Sequence, residues 1–215
     1  MYNYILFDWD GCLAHTLPLW IKTFQAVLKN EYGIDVSLET VTRAYFKEKR
    51  EIDKDYPQVE LNVFFSRAID ELIAHKHEIL LQDYAEEMLK TFKKKGKTCA
   101  IVSSSPRPAL DELLDATNIK RYFTAVYGWE DTEKNKPYAM PLLSAMNDMG
   151  AKPSETIMIG DTDVDILAGK AAGIATAWYF SKENSSVYDK DQFAHLEPDY
   201  IIRHFKEFVD LITKK

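Results

Sequence analysis

The sequence predicts an α/β fold: a three-layer α/β/α arrangement around a parallel sheet, with a helical cap subdomain inserted after the first strand. Three observations predict it. Continuous apolar runs at residues 5–7, 99–102, 125–127, 157–159 and 174–179 are short enough for strands buried on both faces. Amphipathic stretches separate most of them, and strand–helix alternation implies a parallel sheet with right-handed crossovers. One long stretch, residues 16–85, breaks the alternation and reads as helices without an obvious strand.

Taken in order, the first strand ends at Phe7 and runs straight into Asp8. The insert opens with a helix striped by Trp20, Phe24, Val27 and Leu28 and stopped near Gly33. Ser37 is placed to cap a second helix carrying Val41, Ala44 and Tyr45. Leu61, Phe64, Phe65, Ala68, Ile69 and Leu72 stripe a third. Tyr84, Met88, Leu89 and Phe92 mark the next, ended by Gly96, with Lys93-Lys94-Lys95 facing its C-terminal dipole. Strand 99–102 leads to a helix bearing Leu110, Leu113, Leu114 and Thr117, with Ser105 as the expected cap and Pro106 in the first turn. Leu142, Leu143, Met146 and Met149 stripe a helix stopped by Gly150, and a last short strand is expected at 200–202. Residues 1–15 and 86–215 then form the core. Residues 16–85 form the cap, over the sheet edge where open parallel sheets bind ligands.

Bulk properties narrow the function. The 215 residues are 46% hydrophobic and 28% charged, enough for a packed core. With 27 basic and 34 acidic residues the net charge is −7, which argues against nucleic acid and anionic membrane as partners. No apolar run approaches the roughly 20 residues of a membrane-spanning helix. The first residues lack a basic stretch, a long apolar stretch and a cleavage site, so a cytoplasmic location is expected. Two cysteines, Cys12 and Cys99, are too few for a disulfide framework and read as packing thiols.

Four short segments carry chemistry. Asp8-Trp9-Asp10-Gly11 sets two carboxylates at a strand exit, where like charges repel unless a cation compensates. One carboxylate can attack phosphorus, and the other can move the proton. Gly11 lets the backbone turn and its amide approach a substrate. Alone, this segment is as compatible with a solvated turn. Asp161, Asp163 and Asp165 crowd one loop after strand 157–159. A calcium loop is excluded, because Ile166 stands where glycine is needed and Ala172 where the bidentate glutamate belongs. Magnesium, which takes one or two carboxylates plus waters and phosphate oxygens, remains suited, and so does a plain acidic helix start favoured by the dipole. Ser103-Ser104-Ser105 offers hydroxyls and amides at a helix start, a ready anion site. Lys136-Pro137 offers an ammonium before the next helix.

In this order the four segments resemble the haloacid dehalogenase superfamily, over nearly the whole chain. The resemblance implies a Rossmann-like core and a role for each matching residue. Asp8 would be the nucleophile and Asp10 the general acid and base. Ser103, with Ser104 and Gly11 beside it, would bind the phosphoryl group, and Lys136 would neutralise charge on it and on Asp8. Magnesium would be held by Asp8, Asp10 through its carbonyl, and Asp161, with Asp165 ligating it or holding its water. An aspartate at position 10 implies phosphate-ester chemistry rather than dehalogenation, and the insert resembles the cap of the phosphoglycolate phosphatase and β-phosphoglucomutase branch. The expected activity is hydrolysis of a small phosphorylated metabolite by a monomer or homodimer. A sugar phosphomutase and a non-catalytic binding protein are the alternatives. Two positions depart from the family's usual pattern: Cys12 replaces Thr or Val, and His15 an acidic residue. Trp20, Arg43, Lys47 and Arg50 are insert residues that would reach substrate if their side chains turned inward, although a packed or solvated role is commoner for such residues. The basic ones would suit a second anionic group. His75 and His77, two apart, would face different ways on a helix.

Overall fold

A computed structural model describes residues 1–189 and 191–214. Its six strands form one parallel sheet: β1 (Tyr4–Phe7), β2 (Thr98–Val102), β3 (Ala125–Tyr127), β4 (Thr156–Gly160), β5 (Ala175–Tyr179) and β6 (Tyr200–Ile202). Their order is β3-β2-β1-β4-β5-β6, so the chain steps outward from β1 on one side and then restarts beside β1 with β4. Loops leave β1 and β4 in opposite directions, and this reversal opens a crevice at their carboxyl ends.

Nine α-helices accompany the sheet among the described residues: α1 (Leu17–Tyr32), α2 (Leu38–Val41), α3 (Ile52–Asp55), α4 (Leu61–Ala74), α5 (Ala85–Lys94), α6 (Arg107–Thr117), α7 (Met140–Met149), α8 (Asp163–Ala171) and α9 (Phe205–Thr213). Period-two alternation sorts the strand residues between two layers. Ile5, Phe7, Ile101 and Ile159 pack with Phe92 of α5, Leu113 of α6 and Phe208 of α9. Leu6, Ala100 and Met158 pack with Leu142 of α7 and Ala168 of α8. Both faces are therefore buried, which is why the strands read as unbroken apolar runs.

The helices α1 to α4 fill the stretch between β1 and α5. Gly33 ends α1 with φ +67, and its amide and that of Ile34 reach back to Lys29 and Leu28 carbonyls, satisfying the helix end. Ser37 accepts the Thr40 amide at 3.1 Å and caps α2 as expected. The chain enters and leaves this stretch at one place. His15 N–H donates to the Leu80 carbonyl and Gln82 N–H to the Leu13 carbonyl, so the two connecting strands lie antiparallel, side by side.

Ser105 does not cap α6. Pro106 holds that position without a side-chain cap, and the Ser105 hydroxyl instead donates to Asp10, 95 residues earlier in the chain. His75 and His77 also differ from expectation. They lie past the end of α4 on a tighter turn, so their rings stack, 6.4 Å apart, rather than diverge.

Candidate active site

Asp8 follows β1 and Asp161 follows β4, so two neighbouring strands deliver two carboxylates to the crevice. Lys136 arrives from the segment between β3 and α7. Its ammonium donates to Asp8 Oδ1 and to Asp165 Oδ1, each at 2.6 Å. All three side chains are almost fully buried, at 2%, 9% and 1% exposure respectively. Burial disfavours the ammonium, but the Asp165 and Asp8 carboxylates outweigh it and hold the Lys136 pKa above its ordinary value.

The acids show the opposite imbalance. Burial pushes the Asp8 pKa up to about 7, against the pull of Lys136 and with the charges of Asp165 and Asp10 adding to it. Asp161 is raised well above the usual carboxylate range by burial and then by Asp8 and Asp165. The crevice thus holds more negative charge than one ammonium compensates. That imbalance is the electrostatic condition for binding a further cation.

Asp8, Asp161 and Asp165 each bring an oxygen within 4.8 Å of the others. Asp161 Oδ2 is buried and has no hydrogen-bond partner among the described residues. An orphaned, buried carboxylate oxygen beside two further acids fits a hard divalent ion such as magnesium. Asp165 differs from Asp161. Its Oδ1 accepts from Lys136, and its Oδ2 accepts from the Thr162 amide and hydroxyl at 3.1 and 2.9 Å, fastening the start of α8.

Glycine is required at position 11. Its φ is +70, and an added Cβ would stand 2.2 Å from Asp161 Oδ2. The Gly11 carbonyl is pinned by Asn184 Nδ2 at 2.8 Å and Gln82 Nε2 at 3.3 Å.

The Asp10 carboxylate stands outside the three-acid cluster and points toward the insert. Oδ1 accepts from the Thr16 hydroxyl and the Trp20 indole, both at 2.7 Å, and Oδ2 accepts from Ser105 at 2.5 Å. Three donors from three directions fix its orientation. Ser103, at the end of β2, is buried, and its Oγ accepts the Ser105 amide at 3.0 Å. Ser104 is exposed and lines the cavity in front of Asp8.

That cavity encloses about 600 Å³ and is bounded by Asp8, Asp10, Lys136 and Asp161 on one side and by α1 and α4 on the other. Of the insert residues singled out from sequence, Trp20 lines it, whereas Arg43, Lys47 and Arg50 do not. Sequence reasoning missed Thr16 and Asn184 as site residues, and it read Ser105 as part of an anion site and a helix cap rather than as a donor to Asp10. Thr16 marked only the start of the insert, and Asn184 bonds to Gly11 across 173 residues, which no local pattern reports. Cys12 is wholly buried, its Sγ donating to the Ile159 carbonyl at 3.6 Å. Burial holds both thiols protonated, with Cys99 pushed up to about 12.

Residues 5–179 match the family model described as haloacid dehalogenase-like hydrolase. The chain is 31% identical to the pyrophosphatase PpaX of Halalkalibacterium halodurans, over 99% of this chain and 98% of that one. It is 30% identical to the phosphoglycolate phosphatase of Aquifex aeolicus, over 86% and 89% of the two chains. Among solved structures, CbbY from Rhodobacter sphaeroides in complex with phosphate superposes with a TM-score of 0.79 at 18% identity, covering 97% of this chain and 96% of that one. A subfamily IA hydrolase from Geobacter sulfurreducens gives a TM-score of 0.74 at 18% identity, over 98% and 96%. At such identities these two establish a shared fold.

Proposed function

The chain belongs to the haloacid dehalogenase-like hydrolases, and on that premise we propose that it is a magnesium-dependent phosphatase that hydrolyses a small phosphorylated metabolite through a phosphorylated Asp8. The observation that carries this reading is the convergence of Asp8, Lys136 and the partnerless Asp161 oxygen in one buried crevice. On this reading residues 16–85 act as a cap that closes over the substrate and keeps bulk water from the reacting centre.

Bound magnesium would be held by Asp8, Asp161 and Asp165, with the Asp10 carbonyl, and would supply positive charge to the phosphoryl oxygens and to Asp8. Asp8 attacks phosphorus, the P–O bond to the alcohol breaks, and an aspartyl phosphate forms. Asp10, held by Thr16, Trp20 and Ser105, gives a proton to the departing alkoxide. It then takes one from the water that attacks the aspartyl phosphate, and inorganic phosphate leaves. Lys136 stays between Asp8 and Asp165, donating to Asp8 and to the transferring group. Ser103 and Ser104 cradle the remaining phosphoryl oxygens. The Gly11 amide, expected from sequence to approach the substrate, instead donates to the Ala14 carbonyl at 3.0 Å.

The test is phosphate release from a panel of phosphorylated metabolites, with magnesium and with chelator. Wild type should turn over at least one member only with magnesium, and Asp8→Asn should be inactive. Wild type indistinguishable from Asp8→Asn across the panel would overturn the reading.

A further inference from the structure

We infer that this site takes monophosphate esters of apolar or aromatic alcohols, rather than substrates whose leaving portion carries a second anionic group. The inference rests on the phosphatase reading of the same cavity and adds a substrate class to it.

The first support is what faces Asp8. The cavity that Asp8 opens into is also lined by Phe24, Phe46, Phe65, Ile69, Trp129 and Val164. The aromatic side is already assembled. Phe24 packs against Phe46 at 5.3 Å and Phe65 at 6.0 Å between ring centroids, and Trp20 sits edge-on to it at 6.1 Å. Phe65 and Trp129 remain 44% and 51% exposed at the rim although both are large and apolar. A volume of about 600 Å³ holds a ring or a branched alkyl chain beside a phosphoryl group.

The second support is charge. Among the described lining residues Lys136 is the one cation, and two carboxylates already engage it. Asp8, Asp10 and Asp161 oppose it. One divalent ion offsets that excess, and the phosphate dianion restores it. A further carboxylate or phosphate on the leaving portion would be desolvated against aromatic rings with no cation to meet it. The basic residues of the insert that would have supplied one are paired outside the cavity: Lys47 with Asp189 at 3.2 Å, Lys49 with Asp163, Arg50 with Asp55, and Arg43 with Glu48 at 3.9 Å. Asn62, also in the lining, offers a neutral partner for a hydroxyl. The same shortage of cations counts against a sugar phosphomutase, which must grip a second phosphate.

The experiment compares three substrates with magnesium: benzyl phosphate, phosphoglycolate and pyrophosphate, the last two being the substrates named for relatives. Calorimetric affinities for benzylphosphonate, phosphonoacetate and methylenediphosphonate are measured in parallel. Benzyl phosphate should lead in kcat/KM by about tenfold or more, and benzylphosphonate should bind tighter by a similar factor. Phe65→Arg, a change at an exposed rim position, should shrink that lead at least several-fold by supplying the missing cation. Equal or better turnover and binding of the doubly anionic compounds by wild type would overturn the inference while leaving the phosphatase reading intact. If no substrate is turned over beyond the Asp8→Asn level, the phosphatase reading falls, and the phosphonate affinities alone decide the inference.

Discussion

Lys136→Met is the most informative single change. Methionine keeps much of the side chain's volume and removes its charge. In the protein Lys136 donates to Asp8 and Asp165 at 2.6 Å each, with all three side chains at 9% exposure or less. Removing it leaves Asp8, Asp161 and Asp165, whose oxygens lie within 4.8 Å of one another, with no compensating ammonium. Breaking a buried ion pair from one side costs about 3–5 kcal/mol. Native domains hold about 5–15 kcal/mol, so the variant should fold but sit near the lower limit. For a chain of this size the melting temperature should fall by about 6–20 °C in chelator. Magnesium supplies the same sign of charge, so its addition should recover a larger share of stability in the variant than in wild type. Asp165→Asn in the same chain should restore part of the loss by removing one stranded carboxylate. The assay is thermal unfolding of wild type, the single and the double variant, each with chelator and with magnesium. A Lys136→Met protein as stable as wild type in chelator, with no extra gain from magnesium, would refute the charge balance on which the site is built.

Three further outcomes are expected. Metal-free wild type should become more stable as pH falls from about 8 to about 5.5. Folded Asp8 titrates near 7 and an unfolded aspartate near 4, so between those values the folded state holds protons the unfolded chain has released. Urea unfolding across that window checks the sign, and magnesium should flatten the slope. Gly11→Ala should cost about 1–2 kcal/mol from its left-handed backbone alone. Its carbonyl is tied to Asn184 and Gln82, so the strain cannot relax, and the displaced Asp161 should weaken magnesium-induced stabilisation, read by unfolding with and without the ion. Trp20→Phe removes one of three donors to Asp10. Turnover of the best substrate should fall about tenfold, a fraction of the 10²–10⁴ that proton transfer contributes, while the melting temperature stays close to wild type; an unchanged kcat would show that the indole does not orient Asp10.

Much of this was legible in the chain, for a physical reason. Strands covered on both faces leave continuous apolar runs, so residues 99–102 and 157–159 fell inside β2 and β4 with a single residue to add at one or both ends. Asp8, Lys136 and Asp161 do converge. What failed was anything decided by competition between distant groups. Ser105 has the local signature of a helix cap, but the Asp10 carboxylate, 95 residues away, takes its hydroxyl. For Lys47 the commoner reading away from substrate is the one the fold favours, but its partner Asp189, 142 residues on, is visible only once the chain is folded. The stripe Phe64, Phe65, Ala68, Ile69 reads as one apolar face. In the fold Phe64 is wholly buried while Phe65 and Ile69 turn to the cavity, a division that periodicity does not register.

Ala14 and Leu81 sit paired although the whole run of α1 to α4 lies between them. That run is an excursion that begins and finishes at a single doorway beside β1. Exchange it for another helical segment, or for a tight turn, and no strand need change its neighbours or its register. The aromatic wall of the cavity is thereby carried mostly on a stretch the sheet does not need, although Thr16 and Trp20 tie the orientation of Asp10 to that same stretch. That wall can be redrawn by insertion, while Asp8 and Asp161 stay anchored at the ends of β1 and β4.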